Sequence, residues 1–240
     1  MSSKKMIFLV AISYLAFCNN TNVNQTSSQE YTYRPIHIDD IRQFVRESDS
    51  STTIDAIVGK ALRKDGREVF IELSIYGNYC DTSYLFIKDG FCIYTAIDTP
   101  FMEQKNCMEK PTADYFWYYP PGTLNQYSYI NNYKTFAGEC REVYLLERCY
   151  YDGGYVPFLR NYYGKNIGLI GAEVIDSSGV TTDRFLLSYA KIDGKEYGHL
   201  FPARNAAKSK TLLKGNLPLV WAINGRVIPE VIRNPSIVKY

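Results

Sequence analysis

Glycine-centred turn signals, recurring between short runs of β-branched and aromatic residues, constrain this chain more than any other feature. Lys64-Asp65-Gly66 precedes "VFIELSIY" (69–76), where Val69, Ile71, Leu73 and Ile75 fall on one face of an extended segment. Asp89-Gly90 separates "SYLFI" from "FCIYTAI". Further on, "LIGAEVI" meets "RFLLSYA" across residues 176–180, "RFLLSYAKI" turns at Asp193-Gly194, and Asn224-Gly225 sits between "PLVWAI" and "RVIPEVI". Asp-Gly and Asn-Gly supply the positive φ angles of a two-residue hairpin, so these runs pair antiparallel with their neighbours. The expected fold is mainly β: an antiparallel, hairpin-rich sheet or sandwich.

Helical signals are fewer. Asp39 or Asp40 caps "IRQFVRE" (41–47), which places Ile41, Phe44 and Val45 on one helical face, and Pro202 to Lys214 is a second candidate. One or two short helices, and with them an α+β variant of the fold, are therefore expected. Ile54, Ile57, Val58, Ala61 and Leu62 fit a helical face too, but they also form the first arm of the hairpin ending at Gly66, and the hairpin is preferred. "IVGKALRKDGREV" (57–69) resembles the opening hairpin of small extracellular β-sandwich modules.

The N-terminus reads as an export signal. Lys4 and Lys5 precede twelve uncharged, mostly apolar residues, Met6 to Phe17, followed by Asn19, Asn20, Thr21 and Asn22. A helix of that length rises roughly 18 Å, short of the roughly 30 Å of a bilayer core, so it does not read as a permanent span. Leu15-Ala16-Phe17-Cys18 resembles the lipobox of bacterial lipoproteins, although Phe17 stands where that family has a small residue. The resemblance implies a diacylglycerol on Cys18, a new N-terminus there, and a polar tether. The alternative is an ordinary signal peptide cut before Asn19. "NNTNVNQTSSQE" (19–30) has too little apolar surface to fold, as a tether requires. The expected organisation is signal peptide 1–18, tether 19–30, and one β-rich domain over 31–240, with a subdivision near 105–140 as a variant. The expected location is the cell envelope through the lipid, or the medium without it.

Charge excludes one class of function. Taking Lys4 and Lys5 from the 27 basic residues leaves 25, against 25 acids, so the mature chain is formally neutral. A protein that binds nucleic acid by neutralising phosphates needs more, and no basic cluster supplies it locally. Beyond Cys18, the cysteines are Cys80, Cys92, Cys107, Cys140 and Cys149. In an oxidising compartment an odd set leaves at least one thiol over, with the pairing not legible from spacing. No CxxC occurs, so a metal site is not expected.

Catalytic signatures are sparse. His37 and His199 are the two histidines, and no GxSxG, HExxH, Walker or dinucleotide fingerprint is present. His37 with Asp39 and Asp40 is a weak candidate for a shared proton or a metal, although helix capping accounts for the acids. Gly168-Leu169-Ile170-Gly171 lacks a phosphate-loop context and reads as structural. Asp114, Glu139, Asp152 and Asp183 are scattered acids from which a hydrolase would draw a carboxylate pair. Neither a catalytic residue nor a cofactor is assigned, and the balance leans away from an enzyme.

Tyrosine stands out, at 22 of 240 residues. "DYFWYYPPGTLNQYSYINNYKTF" (114–136) and "CYYDGGYVPFLRNYYG" (149–164) concentrate it. Tyr and Trp offer a flat apolar face and a polar edge at low entropic cost, which suits stacking on a sugar or gripping a protein. Pro120-Pro121-Gly122 presents the first cluster on a turn, with Asn125, Gln126, Ser128, Asn131 and Asn132 interleaved. The candidate binding residues are Tyr115, Trp117, Tyr118, Tyr119, Tyr127 and Tyr129, and the candidate ligand is a glycan or a surface protein. The competing account is that these aromatics fill a β core. A secreted hydrolase with paired carboxylates in an aromatic-lined cleft is the alternative function, and a secreted effector or structural domain is another.

Overall fold

The computed structural model describes residues 31–201, apart from 78, 100–101, 120–121 and 152–153. The leader with Cys18, the tether, the candidate helix at Pro202–Lys214 and the Asn224-Gly225 turn lie outside the described residues.

Thirteen strands follow in order: β1 (Ile41–Arg46), β2 (Thr52–Leu62), β3 (Glu68–Tyr76), β4 (Tyr79–Lys88), β5 (Phe91–Thr95), β6 (Glu103–Met108), β7 (Phe116–Tyr119), β8 (Thr123–Thr135), β9 (Gly138–Tyr151), β10 (Tyr155–Gly164), β11 (Gly168–Ile175), β12 (Thr181–Ile192) and β13 (Lys195–Gly198). They form one sheet in the order β6-β5-β4-β3-β2-β1-β12-β11-β10-β9-β8-β7, with β13 also on β12. The chain meanders from β1 out to β6, crosses to the opposite edge, and meanders back from β7 to β12. Antiparallel pairing of β12 with β1 joins the two halves. The turn chemistry works as the sequence implies: Asp89 (φ 52°) and Gly90 (φ 76°) join β4 to β5, and Asp193 (φ 48°) and Gly194 (φ 76°) join β12 to β13.

No helix occurs among the described residues, and "IRQFVRE" is corrected to the central strand β1. Its helix-like spacing arises because Arg42 and Gln43 occupy buried positions that a strand flanked on both sides would otherwise fill with apolar side chains. Arg42 donates to the carbonyls of Pro35 (3.1 Å) and Ile167 (2.9 Å). Gln43 bonds Phe201 through both its amide atoms and accepts from the Ser188 hydroxyl at 3.0 Å. Asp40, expected as a helix cap, instead ties a turn together: it accepts from the His37 amide at 2.9 Å and the Asp193 amide at 2.9 Å. Thr53–Leu62 lies in β2, as the hairpin reading required.

Both halves of the sheet contribute to the main core. Ile57, Val69, Leu85, Phe86, Phe91, Cys92, Ile93 and Cys107 from β2–β6 pack with Trp117, Tyr127, Leu146 and Tyr163 from β7–β10. A second core forms where the long β8–β9 hairpin bends over β10–β12. The Ala137 amide donates to the Leu187 carbonyl at 2.9 Å, and Tyr133 stacks on Tyr162 with ring centroids 3.9 Å apart. Glycine makes that approach feasible, since a Cβ on Gly171 would stand 2.8 Å from the Tyr133 ring.

Candidate binding surface

Strand alternation divides the first aromatic cluster between two faces. On β7, Trp117 turns inward and is 8% exposed, while Phe116 (55%) and Tyr118 (60%) stand outside. Tyr127 is fully buried on the next strand, its ring 5.7 Å from that of Trp117. Tyr115 leans on Phe91 and Trp117, and its exposure is only 37%. Tyr129 is exposed but packs on Tyr144, in a separate group that continues to Tyr33 and Tyr31. Tyr119 belongs to β7. Of the five candidates whose side chains are described, Tyr118 is the one that joins an exposed aromatic strip, and Trp117 and Tyr127 are core residues.

The strip draws the rest of its members from Phe116, in the first cluster but not among the six, and from Tyr151 and Tyr155 in the second. Phe116 contacts Tyr118 (5.9 Å), Tyr118 contacts Tyr155 (6.2 Å), and Tyr155 contacts Tyr151 (5.5 Å), the last two flanking the β9–β10 turn. Tyr151 and Tyr155 are exposed as well. The Tyr155 hydroxyl is hydrogen-bonded to that of Tyr118, which holds its pKa above the ordinary value. The signal in the sequence was the second cluster, "CYYDGGYVPF", brought beside the first by the β8–β9–β10 meander.

Beside the strip runs a single transverse row, one residue per strand: Phe116, Gln126, Glu147, Arg160, Glu173 and Arg184. Arg160 donates to Glu147 at 2.8 Å, and Arg184 donates to Glu173 at 3.0 Å and to Glu47 at 3.3 Å. Each charge is thus neutralised by its neighbour. Glu173 is buried and the others are part-exposed, and the pairing leaves no net charge in this row to select an ionic ligand.

A different polar group lies in the main core. Arg34 donates to Glu72 at 2.7 Å, the Tyr94 hydroxyl donates to Glu72 at 2.6 Å, and the Ser74 hydroxyl donates to Asp55 at 2.7 Å. Burial and the nearby Glu72 carboxylate push Asp55 up to about 6. Burial opposes ionisation of Glu72 too, but Arg34, the Tyr94 hydroxyl and Arg42 together outweigh it and hold that carboxyl below its usual value. Two acids with divergent pKa values form the pattern of a general acid and base. Here both are engaged by Arg34, Tyr94 and Ser74, which fits a buried structural network. Among the described residues, Arg34 Nε, Trp117 Nε1, the Tyr133 hydroxyl and Arg148 Nε are buried without a hydrogen-bond partner.

The acids singled out in the sequence are dispersed. Asp114 precedes β7 in a left-handed turn conformation (φ 61°), Glu139 is exposed at the start of β9, and Asp183 is bound by Arg46 at 2.6 Å. Asp152 lies outside the described residues. His37 sits 3.2 Å from Asp40, with its ring half exposed, and His199 is exposed after β13. No cluster of three or more His, Cys, Asp or Glu able to hold a metal occurs among the described residues.

No family model and no curated protein matches the chain. It is similar in structure to a Bacteroides fragilis protein assigned as exported, of YmcC-like fold, at 11% identity and a TM-score of 0.44, over 68% of this chain and 100% of that one. A Parabacteroides distasonis protein assigned as a lipoprotein matches at 12% identity and a TM-score of 0.42, over 67% and 98%. MucB matches at 10% identity and a TM-score of 0.28, over 69% and 55%. At these scores the likenesses carry no argument about what this chain binds.

Proposed function

We propose that this chain is an exported, lipid-anchored envelope protein that works by binding a protein partner through the outer aromatic strip, and not by catalysis. Export and anchoring rest on the leader, on Leu15-Ala16-Phe17-Cys18, and on the polar stretch that follows. Intact mass of the membrane-fraction protein tests them. A chain beginning at Cys18 with added acyl mass is expected, and one beginning at Asn19 without it contradicts the anchor.

The observation that carries the binding reading is the continuous strip Phe116, Tyr118, Tyr155 and Tyr151 beside β7, a strand paired on one side only among the described residues. Successive rings are inclined at 80°, 47° and 69°, so they do not make the flat platform on which a sugar chain stacks. They make a ridged apolar surface next to an open strand edge. That combination suits a polypeptide that adds its backbone to β7 and seats apolar side chains among the rings. The test is a Phe116→Ser, Tyr118→Ser, Tyr155→Ser variant, anchored and expressed as the wild type. It should lose the partner recovered by cross-linking on wild-type cells, with its melting temperature nearly unchanged. Retained capture contradicts the reading, a saccharide bound through the strip replaces the partner class, and hydrolytic turnover lost in Asp55→Asn favours an enzyme.

A further inference from the structure

We propose that Cys92 and Cys107 are joined by a disulfide in the mature protein, bracing the β5–β6 edge hairpin from inside the core. The two residues stand directly opposite each other in the antiparallel register of β5 and β6. Both are completely buried, and each thiol strongly perturbs the ionisation of the other. Opposed residues in such a pair have Cβ atoms about 4.5–5.5 Å apart, within a small adjustment of the 3.5–4.5 Å that a disulfide spans. The register shift between Cys92 and Ile93 supplies local freedom for that adjustment. The remaining cysteines lack such a mate: Cys80 faces Ile75, Cys140 faces Tyr133, and Cys149 faces Leu124 and Pro157. All five are thiols in this structure.

The surroundings also divide the two thiols by role. The adjacent Cys107 thiol, aided by the Arg34 guanidinium, lowers Cys92 to about 7, whereas Cys107 is pushed well above the ordinary thiol value by the adjacent Cys92 and by burial. In a partly opened edge that keeps Arg34 beside it, Cys92 is the readier attacking thiolate and Cys107 the resolving thiol. The oxidant is a disulfide-bearing one, a protein dithiol oxidase or glutathione disulfide. Cys92 Sγ attacks one of its sulfurs, the oxidant's S–S bond breaks, and the departing thiolate takes up the Cys107 proton. Cys107 Sγ then attacks Cys92 Sγ, and the mixed disulfide breaks to release the second oxidant sulfur, which takes a proton from water. Two protein thiols lose two electrons and the oxidant's disulfide becomes two thiols. Burial places this exchange during folding, or during opening of β6, a short edge strand.

The inference rests on the export proposed above, because a persistent disulfide needs an oxidising compartment. The test is alkylation of the full-length protein as it leaves the cell, followed by non-reducing peptide mapping. A linked Cys92–Cys107 peptide is expected, with Cys80, Cys140 and Cys149 alkylated. Reduction should lower the melting temperature by roughly 6–12 °C in wild type and hardly at all in a Cys92→Ala, Cys107→Ala variant. A different pairing, or both cysteines alkylated, overturns the proposal. In the second case glutathione disulfide added to the purified reduced chain identifies the failed premise: formation of the 92–107 bridge faults the compartment, and its absence faults the geometry.

Discussion

The two edges of the sheet both lie against aromatic side chains and are treated in opposite ways. At the β6 edge, the Met108 amide donates to the Tyr127 hydroxyl at 2.7 Å, the Asn106 carbonyl accepts from Arg148 at 3.2 Å, and the Glu109 carbonyl accepts from the Tyr33 amide at 2.7 Å. Two side chains from the far half of the sheet and the backbone of Tyr33 thereby satisfy a strand edge that has no ladder partner among the described residues. At the β7 edge, four residues pair with β8 alone, and Phe116 and Tyr118 face outward. An open edge invites another chain, and natural proteins limit that risk with short edge strands. Aromatics lock the first edge from within and surround the second from without. The first is thus structural, and the second is the proposed place for a partner.

The largest expected effect lies at the closed edge. Tyr127→Ala removes a fully buried ring and the acceptor for Met108, and should cost about 3–5 kcal/mol in urea unfolding. Tyr127→Phe separates the two contributions: it keeps the ring, strands the Met108 amide, and should cost about 1–3 kcal/mol. Equal costs for the two variants would show that the hydroxyl alone closes the edge.

The inner network behind that edge should reveal itself through pH. Asp55 is raised to about 6 in the folded protein from an ordinary 3.8, so the folded state holds its proton more tightly than the unfolded chain does. Its contribution is fullest below about pH 4 and is lost as pH rises through about 6. The stability of Asp55→Asn relative to wild type should therefore climb between pH 4 and 6 and level off above. Depressed acids such as Asp65, held at about 2 by Arg63, act in the opposite sense, losing their contribution as pH falls. A difference between Asp55→Asn and wild type that stays flat across pH 4 to 7 would remove Asp55 from this role.

The smallest expected effect on stability lies at the open edge. Phe116→Ser or Tyr118→Ser should shift stability by no more than about 0.5 kcal/mol in urea unfolding, since these rings are over half exposed. A cost of several kcal/mol would mean that the strip is part of the core and would erase the contrast between the edges.

Which parts of this were legible in the sequence follows from locality. Asp89-Gly90 and Asp193-Gly194 are local signals, and their hairpins formed. β1 was misread because Arg42 and Gln43 are buried polar residues whose partners, Pro35, Ile167, Ser188 and Phe201, are mostly remote in the chain. The density of tyrosine was visible but not its division: Trp117 and Tyr118 are adjacent in sequence and opposite in space, and only the knowledge that 116–119 is a strand separates them. Tyr151 and Tyr155 reach Tyr118 through a strand order that no spacing reveals. The same holds for Asp55 beside Glu72, and for Cys92 opposite Cys107.

The most direct test of the open edge is site-specific photo-cross-linking in the cells that make the protein, with the reactive group placed in turn at Tyr118, at Tyr155 and, as an exposed control in the β11–β12 turn, at Val180. One protein adduct of the same mass at 118 and 155, absent at 180, is the predicted result. No adduct at either position, or the same adducts at all three, would contradict the assignment of the β7 edge as the binding surface.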